Sequence, residues 1–227
     1  MAWDPPGARA SAMGDASVNA GRQVMQVGLG FDLTLPTGPL STDGQIRSAQ
    51  FSSCGKYRLE LVREWSDGEG TALAMLANPS TADHLENDNT VTRLCGFVRA
   101  VRIRRLVVCN FYAFIATKPK HLIAARDAGV DVVGPGNDET IARHAEQASR
   151  IIIGCGAFHW VKRRALQACS EGGVLFGKAL ECLDVTTDGA PGHPLYLPNS
   201  ATLRPYSVDD LKRWAGSADH SRRPKKR

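Results

Sequence analysis

Three short apolar runs, each ending abruptly in polar residues or glycine, constrain the fold of this chain more than any other feature. They cover residues 73–77, 105–110 and 150–155, and segments with helical spacing lie between them. Strands that alternate with helices form a mostly parallel sheet with helices on both faces. We therefore predict an α/β fold, and specifically a three-layer α/β/α sandwich.

The ends of these runs carry the residues that could do chemistry. Asn78 follows the first run, Asn110 ends the second, and a glycine turn at 154–156 ends the third. In a parallel sheet all three ends emerge at one edge, which is where open α/β sheets bind their ligands. The loop that contains His193 is the fourth feature that could reach this edge.

The segment before the first run predicts a further strand. Residues 57–65 alternate between apolar and polar side chains, which indicates a strand with one buried face, and a turn signal follows at 66–70. Strand 57–65 and the run 73–77 are therefore predicted to form an N-terminal antiparallel hairpin. Helices are predicted at about residues 89–102, 117–128, 137–148, 160–170 and 207–214, and further short strands at 174–176 and 180–185.

Composition divides the 227 residues into one domain and two ends. Residues 1–50 are rich in Gly, Pro, Ser and Ala without a sustained period, so they are predicted to be a disordered extension. Residues 51–211 form the predicted domain, with 18 basic and 18 acidic residues. Residues 212–227 hold 7 basic residues and 1 acidic residue, so the net charge of +5 belongs to the tail. Such a tail either adds nonspecific attraction to phosphates or is only a solvated segment.

Several classes of protein are disfavoured by what the sequence lacks. No apolar run approaches the roughly 20 residues of a membrane span, and no signal peptide is recognised at the N-terminus, so we expect a cytoplasmic protein without membrane contact. The six cysteines form no CxxC or CxxH pair, which argues against a zinc site. No metal ligands and no cofactor are predicted, and whether a metal is needed stays open. The cysteines are expected to be free and mostly buried. The oligomeric state stays open.

The loop after residue 77 is the first candidate for a site. Pro79 fixes its own φ and pushes Asn78 toward extended backbone, so the Asn78 amide is held at a strand end. An amide both donates and accepts, and could orient a water molecule or read the edge of a base. Alternatively, Asn78 and Ser80 only bond their own backbone.

An acidic cluster follows, formed by Asp83, Glu86 and Asp88. Three carboxylates could bind Mg²⁺, but they also suit a helix N-terminus, which is the interpretation that we favour. Arg93, on the helix that follows, could pair with one of these acids or face a phosphate as a bidentate donor.

The second half of the chain offers three further candidates. Phe111 and Tyr112 follow Asn110 and could stack on a base. Gly156 permits a close approach of the backbone, for example to a ligand. His193, between Gly192 and Pro194, could donate to an oxyanion or act as an acid or base, or could be a structural histidine.

Four stretches resemble a bacterial and phage family catalogued as a domain of unknown function. They are MLANPSTADHLENDNTVTRL, LVVCNFYAFIATKPKHL, RIIIGCGA and GHPLYLP, and the resemblance spans about residues 55–206. More remotely, the order of motifs is similar to the uracil-DNA glycosylase superfamily, whose α/β/α sandwich has a D/N-P loop that positions the attacking water and a late H-P loop that stabilises the departing base. Asn78-Pro79 and His193-Pro194 match these loops.

Together with the strand-end residues, this resemblance implies an enzyme that acts on a nucleobase or a nucleic acid through a glycosylase-like hydrolytic site. Asn78 would orient water or the base, and His193 would donate to the leaving oxyanion. Phe111 or Tyr112 would stack on the base, and Arg93 would contact phosphate. Two alternatives stay open, namely a noncatalytic nucleotide or nucleic-acid binding module, and an enzyme for a small modified nucleotide.

Overall fold

The structure, a computed structural model, describes residues 44–217. Within them a seven-stranded sheet and five α-helices form one mixed α/β unit. The strands are β1 (Ile46–Phe51), β2 (Arg58–Glu64), β3 (Glu69–Leu76), β4 (Ile103–Asn110), β5 (Arg150–Ile153), β6 (Leu180–Cys182) and β7 (Arg204–Pro205). The helices are α1 (Asn89–Ala100), α2 (Pro119–Asp127), α3 (Asn137–Gln147), α4 (His159–Cys169) and α5 (Val208–Gly216). No helix in this part of the chain is long and apolar enough to cross a membrane.

The sheet has a parallel centre and antiparallel edges. Its strand order is β1-β2-β4-β3-β5-β6-β7, in which β4, β3, β5 and β6 run parallel. The three apolar runs of the sequence are β3, β4 and β5, and they lie side by side as predicted. Their carboxyl ends therefore meet at one edge of the sheet, which we call the carboxyl edge.

The two faces of the sheet carry separate apolar clusters. One cluster packs Val91, Leu94 and Val98 of α1 against alternate residues of β3 and β4. The other packs side chains from α2, α3, α4 and α5 against the opposite face. Both faces of the central strands are consequently buried, which is why these strands read as continuous apolar runs.

The predicted hairpin is wrong in its pairing. Strand β2 pairs antiparallel with β1 and with β4, whereas β3 pairs parallel with β4 and β5. The N-terminal antiparallel pair is therefore β1 with β2, and β1 lies mostly within the segment that was assigned to the extension. Residues 1–43 and 218–227, which hold most of the extension and of the basic tail, lie outside the described residues. The assigned start of the tail, residue 212, lies inside α5.

Strand β2 is also buried on both faces, not on one. Its charged residues Arg58, Glu60 and Arg63 are all buried. A bulge between Gln50 and Phe51 shifts the register in which β1 pairs with β2. These three charged side chains have polar partners inside the protein, since Glu60 contacts His144 and both arginines donate to backbone carbonyls. Charged residues in an alternating strand therefore mark an internal polar network here.

Two smaller predictions are resolved by the turns and loops. Residues 174–176 form turns and not a strand. None of the six cysteines forms a disulfide; four are buried, Cys95 is half-buried and Cys54 is exposed. Burial raises the pKa of the Cys109 and Cys155 thiols, as expected for cysteines that act as small apolar side chains.

Candidate functional site

The topology places one crevice at the carboxyl edge. The chain leaves β3 toward β4 on one side, while β5 lies on the other side of β3, so the direction of winding switches between β3 and β5. Ligands of open α/β sheets bind at such a switch point, between the two strand-end loops. Here these are the loop that begins at Asn78 and the turn at 154–158.

The His193 segment closes onto both loops. A Cβ atom built on Gly154 would lie 3.2 Å from Cδ2 of Leu76 and 3.3 Å from Cδ of Pro194. Gly154 therefore packs directly between Leu76 at the end of β3 and Pro194 of the His193 segment. The expectation that this segment reaches the carboxyl edge is met, and the absence of a side chain at 154 allows the contact.

Arg93 holds the His193 segment in place. Its guanidinium donates to the carbonyl oxygens of Pro194 and Leu197 and to Oδ1 of Asn199, and it lies 5.0 Å from the centre of the Phe97 ring. These contacts use three of the five N–H groups of Arg93, and the predicted phosphate contact stays a prediction. Arg93 positions the loop.

The His193 ring is held in one protonation state. Its Nδ1 accepts the N–H of Leu195 at 3.3 Å, at the start of the 3₁₀ turn Pro194–Tyr196, so Nδ1 carries no proton. Burial lowers the pKa of His193, an effect that the Asp88 carboxylate partly opposes. The ring is therefore neutral near pH 7 with its proton on Nε2, and Nε2 has no hydrogen-bond partner among residues 44–217.

This state gives a stability prediction. Because the pKa of His193 is lower folded than unfolded, the unfolded chain binds more protons as pH falls below about 6.5. The contribution of neutral His193 to the free energy of unfolding is therefore complete above pH 6.5. It is lost as pH falls from 6.5 through the lower pKa of His193 in the folded protein. Urea unfolding between pH 5.5 and 8 is expected to show this loss in the wild type and a smaller loss in His193→Asn, which keeps an acceptor near Nδ1. Equal slopes in both proteins would contradict the assignment.

Asn78 is half-buried and its amide hydrogens are committed. Nδ2 donates to the carbonyls of Pro79 at 2.8 Å and Ala116 at 2.7 Å. The contact with Ala116 connects the loop after β3, which begins at Asn78 and which we call the β3 loop, to the segment that follows β4. Since both hydrogens are used, only Oδ1 is left to face a ligand or a water, and it has no hydrogen-bond partner within the described chain. Ser80 is half-buried two residues further on.

The acidic cluster organises the start of α1. Oδ1 of Asp83 accepts the N–H groups of Leu85 and Glu86 at 2.7 and 2.9 Å. Asp88 caps α1 by accepting the N–H of Val91 at 2.8 Å. The favoured helix-start interpretation is confirmed for Asp88. Neither carboxylate is directed by these contacts toward substrate, so the predicted binding roles of Asp83 and Asp88 have no direct support.

The residues that end β4 face inward. Phe111 is fully buried, and Tyr112 is 8% exposed with its hydroxyl donating to the carbonyl of Trp160 at 3.4 Å. The N–H of Phe111 donates to the carbonyl of Leu76, so strand-like pairing continues past Asn110 and directs this ring into the core. Neither ring offers a free face, and the predicted stacking role of Phe111 and Tyr112 is corrected.

Asn110 is part of a buried polar network. Its Oδ1 accepts from Nη2 of Arg58 at 3.2 Å, and its carbonyl accepts from Nδ2 of Asn137 at 3.0 Å. At 1% exposure Asn110 cannot touch a ligand at the surface of the crevice. Its predicted role in binding is replaced by one in holding β2 and α3 against β4.

Gly156 approaches the His193 loop. Its φ is +73°, and a Cβ atom there would lie 3.0 Å from Cβ of His193 and 3.3 Å from Cε2 of Phe158. The close approach that was predicted toward a ligand is made to the histidine itself. Gly156 is therefore a packing partner of His193 and fixes its distance from β5.

A family model matches residues 58–195 of this chain, more than half of its length. The chain belongs to this family, described as Protein of unknown function (DUF1643). The predicted membership in a family of unknown function is confirmed. A search of curated proteins and a search of solved structures found no match. The similarity to the uracil-DNA glycosylase superfamily stays a prediction.

Two aromatic residues beside His193, namely Phe158 and Tyr196, were not predicted from the sequence. The ring centres of Phe158 and His193 are 6.0 Å apart, and those of His193 and Tyr196 are 5.3 Å apart. Phe158 is also stacked on Trp160. Tyr196 follows the matched segment by one residue and is 73% exposed. The sequence did contain a signal for Tyr196. It lies two residues after Pro194, and a short turn there keeps its ring beside His193.

Three arginines beneath the β3 loop were also missed. Arg58 donates to the carbonyl of Ala82, Arg63 to those of Asp83 and Glu86, and Arg47 to that of Leu85. Burial lowers the pKa of Arg58 and Arg63 to about 10, which still leaves both charged at pH 7. These arginines thus hold the loop that carries Asn78 by donating to its backbone carbonyls.

A depression of about 340 Å³ lies elsewhere in the DUF1643 domain. It is lined by Ser149, Arg150, Ala179, Leu180, Glu181 and Pro205, at the amino ends of β5 and β6. None of the predicted site residues lines it. Its two charged side chains, Arg150 and Glu181, form an ion pair of 2.9 Å with each other.

Proposed function

We propose that this chain is a hydrolase that releases a nucleobase from a nucleoside unit, with a glycosylase-like site at the carboxyl edge. The observation that carries the proposal is the neutral His193, whose Nε2–H is unpartnered within residues 44–217 and whose ring lies near those of Phe158 and Tyr196. A neutral imidazole N–H is a suitable donor to a developing oxyanion. The flanking rings would suit a planar ligand.

The proposed reaction assigns one task to each of two side chains. The oxygen of a water attacks the sugar carbon C1′, and the bond between C1′ and the base nitrogen breaks. The electron pair leaves with the base, where negative charge develops on a carbonyl oxygen, and Nε2–H of His193 donates to that oxygen. Oδ1 of Asn78 accepts one hydrogen of the water and orients it. The water loses a proton to solvent.

The proposal extends to the architecture. The helix α1 lies on one face of the sheet and α3, α4 and α5 on the other, which supports a three-layer α/β/α sandwich. In such a sandwich only the strand-end loops are open to ligands, since both faces are covered.

A second candidate is a noncatalytic nucleotide or nucleic-acid binding module. It is favoured by Asn78, whose two amide hydrogens are bound to backbone carbonyls as in a purely structural loop. Such a module would use the same crevice without turnover.

Base release distinguishes the two. The full chain is incubated with oligonucleotides that contain uracil or modified bases, and with the free nucleosides, and the products are treated with alkali. Strand scission at the modified position, or free base from a nucleoside, is the expected result. Binding with no release from any substrate would establish the module and reject the hydrolase, while release from nucleosides alone would identify a small-molecule enzyme.

A further inference from the structure

The last ten residues of the sequence are strongly basic. Residues 218–227, which we call the basic segment, hold five basic residues and one acidic residue, whereas the predicted domain is electrically balanced. The five are Arg222, Arg223, Lys225, Lys226 and Arg227. The segment contains no Leu, Ile, Val, Phe, Tyr or Trp, so it lacks the apolar side chains with which a peptide enters a lipid surface.

The basic segment follows a residue whose position is fixed. Ser217 is the C-cap of α5, and Leu211 and Trp214 of this helix are fully buried. Nζ of Lys162 donates to the carbonyl oxygens of Trp214 and Ser217, at 3.2 and 2.7 Å. A cation at the C-terminus of a helix interacts favourably with its last carbonyls. The start of the basic segment is therefore held beside the first turn of α4.

The first turn of α4 borders the candidate site. Phe158, the N-cap of α4, lies one helical turn before Lys162, about 5–6 Å between Cβ atoms. The rings of Phe158 and His193 are 6.0 Å apart. The loop that leads to His193 also packs on α5, because a Cβ atom on Gly189 would lie 3.2 Å from the backbone nitrogen of Trp214. The anchor of the basic segment consequently lies at the carboxyl edge.

The charges of the basic segment can reach the crevice. An extended chain spans at most about 3.5 Å per residue, which allows about 17 Å from Ser217 to Arg222 and about 35 Å to Arg227. The path from Ser217 to His193 consists of one lysine side chain, one helical turn and one ring contact. This path fits within the longer of the two spans.

We infer that the basic segment binds the phosphates of a nucleic-acid strand while one unpaired base of that strand occupies the carboxyl edge. A run of positive charge complements a polyanion, and the exposed ring of Tyr196 beside His193 offers a face on which an unpaired base can stack. The ligand of the site is then a polynucleotide and not a free nucleoside. Release of the base rests on the proposed function, whereas binding of the strand does not.

The contribution of charge is tested by fluorescence anisotropy with a labelled single-stranded oligonucleotide of about ten residues, at several salt concentrations. Replacing the five basic residues of the segment by Gln in the full chain is expected to weaken binding at least about tenfold. The slope of log K against log salt should fall by about 2 to 3.5, since a single strand contributes about 0.7 per phosphate contact. Binding to phosphatidylserine vesicles but not to the oligonucleotide would assign the segment to a lipid surface and overturn the inference.

A flexible insert separates the position of the charges from their number. About 20 Gly and Ser residues between Ser217 and Ala218 move Arg222 from 5 to about 25 residues beyond its anchor, whereas the same residues added after Arg227 leave it in place. Effective concentration falls roughly as the −3/2 power of linker length, so only the internal insert should weaken binding, by about tenfold. In Tyr196→Ala the internal insert should have little effect, because the second contact of the strand is lost.

Circular dichroism melts establish that each variant is folded. Equal affinities of the two insertion proteins would show that the basic segment acts independently of the carboxyl edge, and the inference would be wrong. Binding that depends on the position of the segment, with no base released from any substrate, retains the inference and rejects the hydrolase. Base release from nucleosides and oligonucleotides alike that neutralisation of the segment leaves unchanged rejects the inference and retains the hydrolase.

Discussion

Removing the Nε2–H donor of His193 is expected to lower the rate of base release by about 10²–10³-fold, the usual effect of deleting one donor to a developing oxyanion. Two variants remove the donor in different ways. His193→Phe keeps a ring beside Phe158 and Tyr196, while His193→Asn keeps an acceptor near the position of Nδ1 for the N–H of Leu195. Both lack a donor at the Nε2 position, so both should lose activity to a similar extent.

The measurement is single-turnover release of base from the best oligonucleotide substrate, with binding followed separately by anisotropy. His121→Asn, an exposed histidine on α2, is the matched control and should release base at the wild-type rate. Full activity in His193→Phe together with loss in His193→Asn would assign the role of His193 to ring packing. In that case the donor mechanism is wrong.

The central fold could be predicted because it depends on local pattern. Strands β3, β4 and β5 are buried on both faces, so each appears in the sequence as an unbroken apolar run that needs no knowledge of its neighbours. The pairing of β2 could not be predicted in this way. Its partner β1 has the sequence IRSAQF, which is partly exposed and mixed in character, and pairing depends on contacts that no local period encodes.

The site was predicted in outline but not in its contacts. A parallel sheet brings Asn78 and the 154–156 turn to one edge, and this could be predicted from the direction of the strands. The His193 loop reaches the same edge through its contacts with Gly154 and Gly156, which no local pattern encodes. The roles of Arg93 and Phe111 did not follow, because each depends on which neighbour uses its donors or covers its ring. Arg93 binds a loop about one hundred residues away in sequence, and the inward turn of Phe111 follows from its pairing with Leu76.

Replacing Arg63 by Met is expected to have the largest effect on folding, a loss of about 3 kcal/mol in the free energy of unfolding. The Arg63 side chain is fully buried, and it donates to the carbonyls of Asp83 and Glu86 and to Oδ1 of Asn87. Methionine fills much of the same volume but leaves these acceptors without their donor, at about 1–3 kcal/mol for each group that stays buried. Relief of the desolvation that lowers the pKa of Arg63 offsets part of this cost.

Arg104→Met in the same sheet is the control, because Arg104 makes a surface ion pair with Glu64 that is worth less than about 1 kcal/mol. Urea unfolding of both variants at pH 7 gives the comparison, and a loss below about 1 kcal/mol for Arg63→Met would show that the β3 loop is held by other contacts.

The result also bears on the site. If Arg63 fixes residues 83–87, its removal should loosen the loop that carries Asn78 and expose its backbone amides to hydrogen exchange, while β5 stays protected. Under the proposed function, Arg63→Met should therefore also slow base release, because Arg63 holds the backbone of the loop that carries Asn78.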